Sequence, residues 1–287
     1  MRQAFADTML KVGQEDGRLV VMVGDISHGI LKPFAAACPG RYFNIGICEP
    51  AMVSMAAGLA KTGLLPVVHT IAPFLIERSF EQIKLDFSYQ KLGGTLVSVG
   101  AAFDYAGLGC SHHCYGDFAL LKTLPGVQII APGSRAEFDA LFRQTYANGR
   151  LTYFRLSEPH GVTLPSVPEM GKGVIVKEGT GKTIICTGPQ LRTVIAALPM
   201  LPENTEVIYF PTVKPFDAEL IRHCYSLLVI EEHSMFGGLA DDARRVCRRV
   251  ASIAIPDAWQ RGYGTRMDHL QAMGFTPENI RDKLGAL

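Results

Sequence analysis

The chain has 287 residues, enough for one large or two medium domains, with 48% hydrophobic and 19% charged residues, a globular composition with ample core material. A formal net charge of +1 supplies no overall field that would draw the protein to nucleic acid or an anionic membrane. No apolar run reaches the roughly 20 residues that a membrane helix needs, and the opening MRQAFADTML lacks the pattern of a secretory signal.

Short β-rich runs alternate with helical patterns along most of the sequence. LVVMVG (19–24) reads as a buried strand closed by a Gly-Asp turn, and EPAMVSMAAGLAKTG (49–63) as a helix with Glu49 and Pro50 in its first turn. LPVVHT (65–70) is the next strand and Ile76 to Tyr89 the next helix. TLVSVG (95–100), VQIIAP (127–132) and LTYFRL (151–156) are further strands, and SRAEFDALFRQTYANG (134–149) a helix. Strands separated by helices imply a mostly parallel sheet covered on both faces. The segment 157–173 has three prolines, three glycines and little periodicity, which marks a linker. Alternation then resumes through TIICTG, a helix at about 189–198, EVIYF, a helix near 216–224, SLLVIEE, a helix from Gly238 to Val250 and ASIAIP. Thr276 caps a last helix that begins at Pro277. The expected fold class is α/β, two domains of parallel sheet and flanking helices at residues 1–160 and 173–287, with the linker at 161–172.

Seven cysteines at scattered positions argue against a disulfide framework and for reduced thiols in a cytoplasmic protein. Cys110, His112, His113 and Cys114 crowd four possible ligands into one run, but no second ligand pair accompanies them. No metal site is expected in this chain.

In an open parallel sheet, ligands gather at the carboxyl ends of the strands. That rule brings forward Asp25, Ser27 and His28 after the first strand, Glu49 at a helix start, His69 and Thr70 after the next strand, and the glycine-rich 105–113 loop. Glu49 follows FNIGIC and opens a helix without another charge until Lys61. A carboxyl so placed either complements the helix dipole or shares a proton with a ligand nitrogen.

The stretch FNIGICEPAMVSMAAGLA (43–60) resembles the glutamate-bearing signature of transketolases, deoxyxylulose-phosphate synthases and the β subunits of 2-oxoacid dehydrogenases. The likeness continues through APFLIERSFEQIKLDFSYQKL, the Ser-His-His segment, PGVQIIAPGS, TVKPFD and VIEEHSMFGGL, in order and over nearly the whole chain. It implies a thiamine diphosphate-binding pyrimidine domain followed by the transketolase C-terminal domain. Glu49 then falls on the glutamate that hydrogen-bonds N1′ of the cofactor's aminopyrimidine, and Phe74 on the aromatic residue that stacks against that ring. Without the resemblance, Phe74 would read as an ordinary core residue. Arg78 lies in the family's R-x-F-x-Q-I stretch, with a cofactor contact or a helix-surface role. His112 falls on a histidine that faces the cofactor's reactive carbon and can relay protons to substrate oxygens. His113 replaces the motif's glutamine. His28 and His69 are cleft residues by strand-end position alone.

The resemblance also implies what is missing. Complete members carry a diphosphate-binding domain whose G-D-G and downstream Asn hold Mg²⁺ and the phosphates. Gly24-Asp25-Ile26 with Asn44 lacks the second glycine and is rejected. Residue 1 coincides with the start of the family's pyrimidine domain, so the chain is expected to be whole. A complementary N-terminal subunit must then supply the Mg²⁺ ligands, and the pyrimidine domains would pair in an α2β2 assembly. At the substrate end, a family acid falls on Leu108, a histidine on Gly100 and an arginine on Glu158, which removes a hydroxyl acceptor and two phosphate partners. Arg155 remains as an anion partner. The leading expectation is transfer of a two-carbon ketol unit between sugar-type substrates. The alternatives are a 2-oxoacid decarboxylating, acyl-transferring enzyme subunit and a non-catalytic scaffold.

Overall fold

A computed structural model describes residues 1–287. Its first sheet has seven strands, β1 (Leu19–Val23), β2 (Tyr42–Asn44), β3 (Leu65–Ile71), β4 (Gly94–Val99), β5 (Gln128–Ile130), β6 (Leu151–Arg155) and β10 (Thr212–Lys214). Their order is β10-β5-β6-β4-β3-β1-β2, parallel throughout except for the antiparallel edge strand β10. The second sheet is β12 (Arg249–Ile255), β11 (Ser226–Ser234), β8 (Thr183–Cys186), β9 (Glu206–Tyr209) and β7 (Val174–Lys177), in that order, with only β7 antiparallel. The 157–173 segment between them contains no helix or strand.

The pleat sorts side chains between two cores, because successive residues of a strand point to opposite faces. Val20, Met22, Val68 and Leu96 face α3 (Glu49–Lys61) and α5 (Asp117–Lys122). Leu19, Val21, Val23, Val67 and Val97 face α1 (Arg2–Glu15), α2 (Lys32–Ala37) and α6 (Arg135–Thr145). The second sheet is covered on one face by α7 (Leu191–Ala197), α9 (Arg266–Ala272) and α10 (Pro277–Ala286), and on the other by α8 (Leu239–Ala243). The two halves are clasped together. β10 leaves the second half to pair with β5, and Ala102, Phe103 and Ala106 of the first half enter the core of the second.

Several expected helices are altered. The stretch 76–89 is two wide-turned segments, Pro73–Glu77 and Ile83–Ser88, around a single turn, α4 (Phe80–Gln82). Their bonds skip five residues, from Arg78 N to Pro73 O and from Tyr89 N to Lys84 O, the wide-turn geometry often found at functional sites. The stretch 216–224 holds only a tight turn at Glu219–Ile221, since Cys224 must reach the core two residues before β11 begins. The helix after Gly238 stops at Ala243, where the chain turns back to start β12 at Arg249.

Candidate functional site

The carboxyl ends of β1, β3 and β4 open onto one edge of the first sheet, and α3 brings its first residue to the same place. Glu49 begins α3 behind Cys48, whose side chain makes no capping bond, so the Glu49 carboxylate itself stands at the positive end of the helix. It is 1% exposed, and its Oε2 accepts a 2.7 Å hydrogen bond from Arg78 Nη1. The wide turn after β3 carries both Phe74 and Arg78, and the Arg78 guanidinium lies over the Phe74 ring at 4.3 Å from its centroid. On another side of that ring stands His112, edge-on at 5.2 Å. Four of the expected residues, Glu49, Phe74, Arg78 and His112, are thereby gathered into one cluster.

Two further features join the cluster, Thr70, which the strand-end rule brought forward, and Gly24, which it did not. Gly24, just past β1, faces Thr70 and Glu49: a Cβ there would lie 2.9 Å from Thr70 Oγ1 and 3.5 Å from Glu49 Oε1. The Thr70 hydroxyl is buried with no hydrogen-bond partner. A carboxylate, an unpartnered hydroxyl and an aromatic face side by side suit a flat heteroaromatic ring with polar edges. The aminopyrimidine of thiamine diphosphate is such a ring, so the residues present fit it. The cluster is an open face. Cavities of about 440, 530 and 560 Å³ lie elsewhere, and none has Glu49, Phe74, Arg78 or His112 in its wall.

The remaining expected residues fall differently. His69 is fully buried beside Phe5, on the face of the sheet opposite α3. Its Nδ1–H donates to the Val97 carbonyl at 2.8 Å, so its Nε2 accepts from the Ser27 hydroxyl at 2.9 Å. Burial pushes its pKa down to about 4, which keeps the ring neutral. It is a structural histidine and not a cleft residue. Arg155 is also turned inward. Its guanidinium donates to the carbonyls of Cys114 and Glu232, lies 3.2 Å from the Asp117 carboxylate and covers the Phe118 ring. These contacts tie the two halves together and commit Nη2 to backbone carbonyls, so the group acts first as a structural clasp. His28 is exposed in the loop after β1 and apart from these contacts.

His113 is buried between Phe103 and His269, away from Phe74, with burial lowering its pKa. Glu158, where the resemblance sets an arginine, is itself flanked by arginines: Arg266 and Arg192 lie 3.5 Å and 3.8 Å from it. The rejected Asp25–Asn44 pair is closed on itself, Asn44 Nδ2 donating to Asp25 Oδ1 at 3.0 Å while its Oδ1 accepts from Asp25 N at 3.1 Å. No helix is long and apolar enough to cross a membrane.

Comparison with known proteins bears on the family and the fold. Residues 1–161 match the family model of the transketolase pyrimidine binding domain, and residues 171–280 that of the transketolase C-terminal domain. One of the subunits of the apulose-4-phosphate transketolase from Phocaeicola vulgatus is 31% identical over 253 residues, covering 83% of this chain and 80% of that protein. An uncharacterised 33.6 kDa protein of the fasciation locus of Rhodococcoides fascians is 38% identical over 224 residues, 76% of this chain and 69% of that protein. A solved split-gene transketolase, described as an inactive β4 tetramer, superposes with a TM-score of 0.87 at 28% identity, covering 99% of this chain and 97% of that one.

Proposed function

The chain belongs to the transketolase family, carrying its pyrimidine-binding and C-terminal domains, and from that premise we propose that it is the subunit in which Glu49 activates thiamine diphosphate for two-carbon ketol transfer between sugar-type substrates. The observation that carries the reading is the cluster of Glu49, Arg78, Phe74 and His112 on one open edge. When bound, the cofactor supplies a carbon nucleophile and an electron sink that no side chain offers. The chain's residues do the rest. Glu49, fixed by the start of α3 and shielded from water, would hold the aminopyrimidine edge and is the group to exchange a proton there. Phe74 provides the stacking face, and Arg78 must leave that face while it releases Glu49 to the ring. At 44% exposure its side chain has room to do so. His112, half-buried with Nδ1 3.0 Å from Ser111 Oγ, is placed to move a proton to or from a substrate oxygen.

The diphosphate and Mg²⁺ would be held by a complementary subunit. An open half-site supports this, as does the split-gene relative, whose β4 tetramer is described as inactive. Pairing of two pyrimidine domains into an α2β2 assembly is supported by the outer face of α3. There Ala51, Met55 and Gly58 lie exposed beside Ile47, which is 69% exposed, an apolar strip that a partner would cover. Seven free cysteines support a reducing, cytoplasmic setting. The test is reconstitution with the co-expressed partner subunit in Mg²⁺. Cofactor binding and ketol transfer should appear only with both chains present. Tight binding by this chain alone would overturn the split-site reading.

A further inference from the structure

A side-chain cluster on the second half has no part in the chemistry above. At the amino-terminal edge of the second sheet, Thr183 begins β8 and Glu206 begins β9, paired in register. His223 and Cys224 reach the same spot from the turn that precedes β11. Glu206 Oε2, His223 Nε2 and Cys224 Sγ all lie within 4.8 Å of one another. We propose that Glu206, His223 and Cys224 form a binding site for one zinc-type divalent cation, with water in the fourth position.

Three observations carry the assignment. The first is geometry. A tetrahedral zinc ion with sulfur at about 2.3 Å and nitrogen and oxygen at about 2.0 Å sets its ligand atoms about 3.3 to 3.6 Å apart. Here Nε2 and Oε2 are 3.0 Å apart, Sγ and Nε2 3.6 Å, and Sγ and Oε2 3.9 Å. Shifts of a few tenths of an ångström complete the arrangement. The second is charge. The Glu206 side chain is 7% exposed, yet no lysine or arginine pairs with it; its one ion-pair partner is His223. A buried carboxylate without a cation is costly, and a bound metal would supply one. The third is the support around the ligands. Thr183 Oγ1 donates to Glu206 Oε2 at 2.8 Å and lies 3.3 Å from Cys224 Sγ, so one hydroxyl holds both ligand atoms in place, as outer-shell partners do in metal sites.

Ligand type selects the ion. A thiolate and an imidazole favour zinc over magnesium, which demands oxygen ligands. On binding, the Cys224 S–H bond breaks, its proton goes to solvent and a sulfur–metal bond forms; no electron is transferred. The bound ion would pin the 219–225 connection to β9, where the chain otherwise has only a short turn. The site departs from the expectation of a metal-free chain, which weighed only the 110–114 run. Glu206 and the adjacent His223 and Cys224 come from separate segments that no short spacing joins.

The test uses the full chain, stripped with a chelator and titrated with Co²⁺ alone. The expected result is one equivalent bound, with a thiolate-to-cobalt charge-transfer band that zinc bleaches and Mg²⁺ does not. Cys224→Ser should abolish the band, whereas the Cys48→Ser/Cys110→Ser double variant, which removes the two exposed thiols, should keep it. Because Cys224 is buried and its variant can misfold, His223→Ala is the second probe, its side chain being 56% exposed. It should weaken binding by more than about 100-fold, beyond the loss typical of an outer-shell partner, and should abolish the rise in Tm that zinc gives the native chain. Absence of the band in the native chain overturns the site, as does a band that survives in a folded Cys224→Ser variant or undiminished affinity in His223→Ala.

Discussion

Glutamine at position 49 would separate what Glu49 does for the fold from what it does for the reaction. Glu49→Gln keeps the size of the side chain and an acceptor oxygen toward Arg78, and removes the charge and the exchangeable proton. The stability effect should be small. A hydrogen bond to a charged group is worth about 1.5–3 kcal/mol. Here the guanidinium is 44% exposed and can rehydrate, and the amide still accepts, so about 1 kcal/mol should be lost. The catalytic effect should be larger. A positioned proton-exchanging group contributes about 10² to 10⁴ in rate, which at 1.36 kcal/mol per tenfold is about 3–5 kcal/mol of barrier. The assay is kcat for ketol transfer in the complex reconstituted with the partner subunit, alongside hydrogen–deuterium exchange at the cofactor's C2 position. Both rates should fall by at least about 100-fold while the melting temperature moves by only a few degrees. A variant that keeps kcat within about fivefold and exchanges normally would refute the role given to Glu49.

Two further outcomes follow from the buried network. His69 has a folded pKa of about 4 against an ordinary value of 6.5, so protons favour the unfolded chain. Its contribution is intact above pH 6.5 and is lost as pH falls toward 4, amounting to about 2 kcal/mol between pH 7 and pH 5. Urea titrations at both pH values should therefore show the gap between the native chain and His69→Gln narrowing by about that amount; a constant gap would show that His69 is not held neutral. Arg155→Met strands the buried Asp117 carboxylate and should cost about 3–5 kcal/mol of stability. A raised KM without that loss would return Arg155 to the substrate.

What the sequence disclosed depended on how local each signal was. β1, β3, β4 and β6 stood out because all are buried on both faces and read as apolar runs. α1 was missed because nothing marks its start: Met1 offers no capping side chain and the first turn holds no acid. β10 was missed because its three residues become a strand only by borrowing the edge of the other half's sheet. The wide turns around Phe74 and Arg78 leave no trace in a 3.6-residue periodicity. Glu49, Phe74, Arg78 and His112 were legible through the motifs they sit in, whereas the Glu49–Arg78 ion pair joins residues 29 apart and needed the fold. His69 could have been placed correctly. By the period of two it shares a face with Val67, toward α1, while Thr70 shares the α3 face with Val68. Strand-end position alone brought forward both His69 and Thr70, and only that parity separates them.

The resemblance sets a histidine at Gly100, a position where the backbone leaves no room for one. Gly100 has φ of +78°, and a Cβ there would lie 2.4 Å from Tyr105 Cε2 and 3.2 Å from Ile71 Cγ2. Any side chain must accept the left-handed conformation and also expel the Tyr105 ring, which stands 6.4 Å from His112. The space that a histidine would need is therefore already filled by the Tyr105 ring. Gly100→Ala should cost about 1–2 kcal/mol for the backbone alone, with a further penalty for moving the ring and a raised KM as His112 shifts. A double-mutant cycle isolates the second part. In a Tyr105→Ala background the alanine should cost only the backbone share, because the ring is no longer there to move. An equal cost in both backgrounds would mean that Tyr105 yields freely, and that the pocket has kept room for the group it lacks.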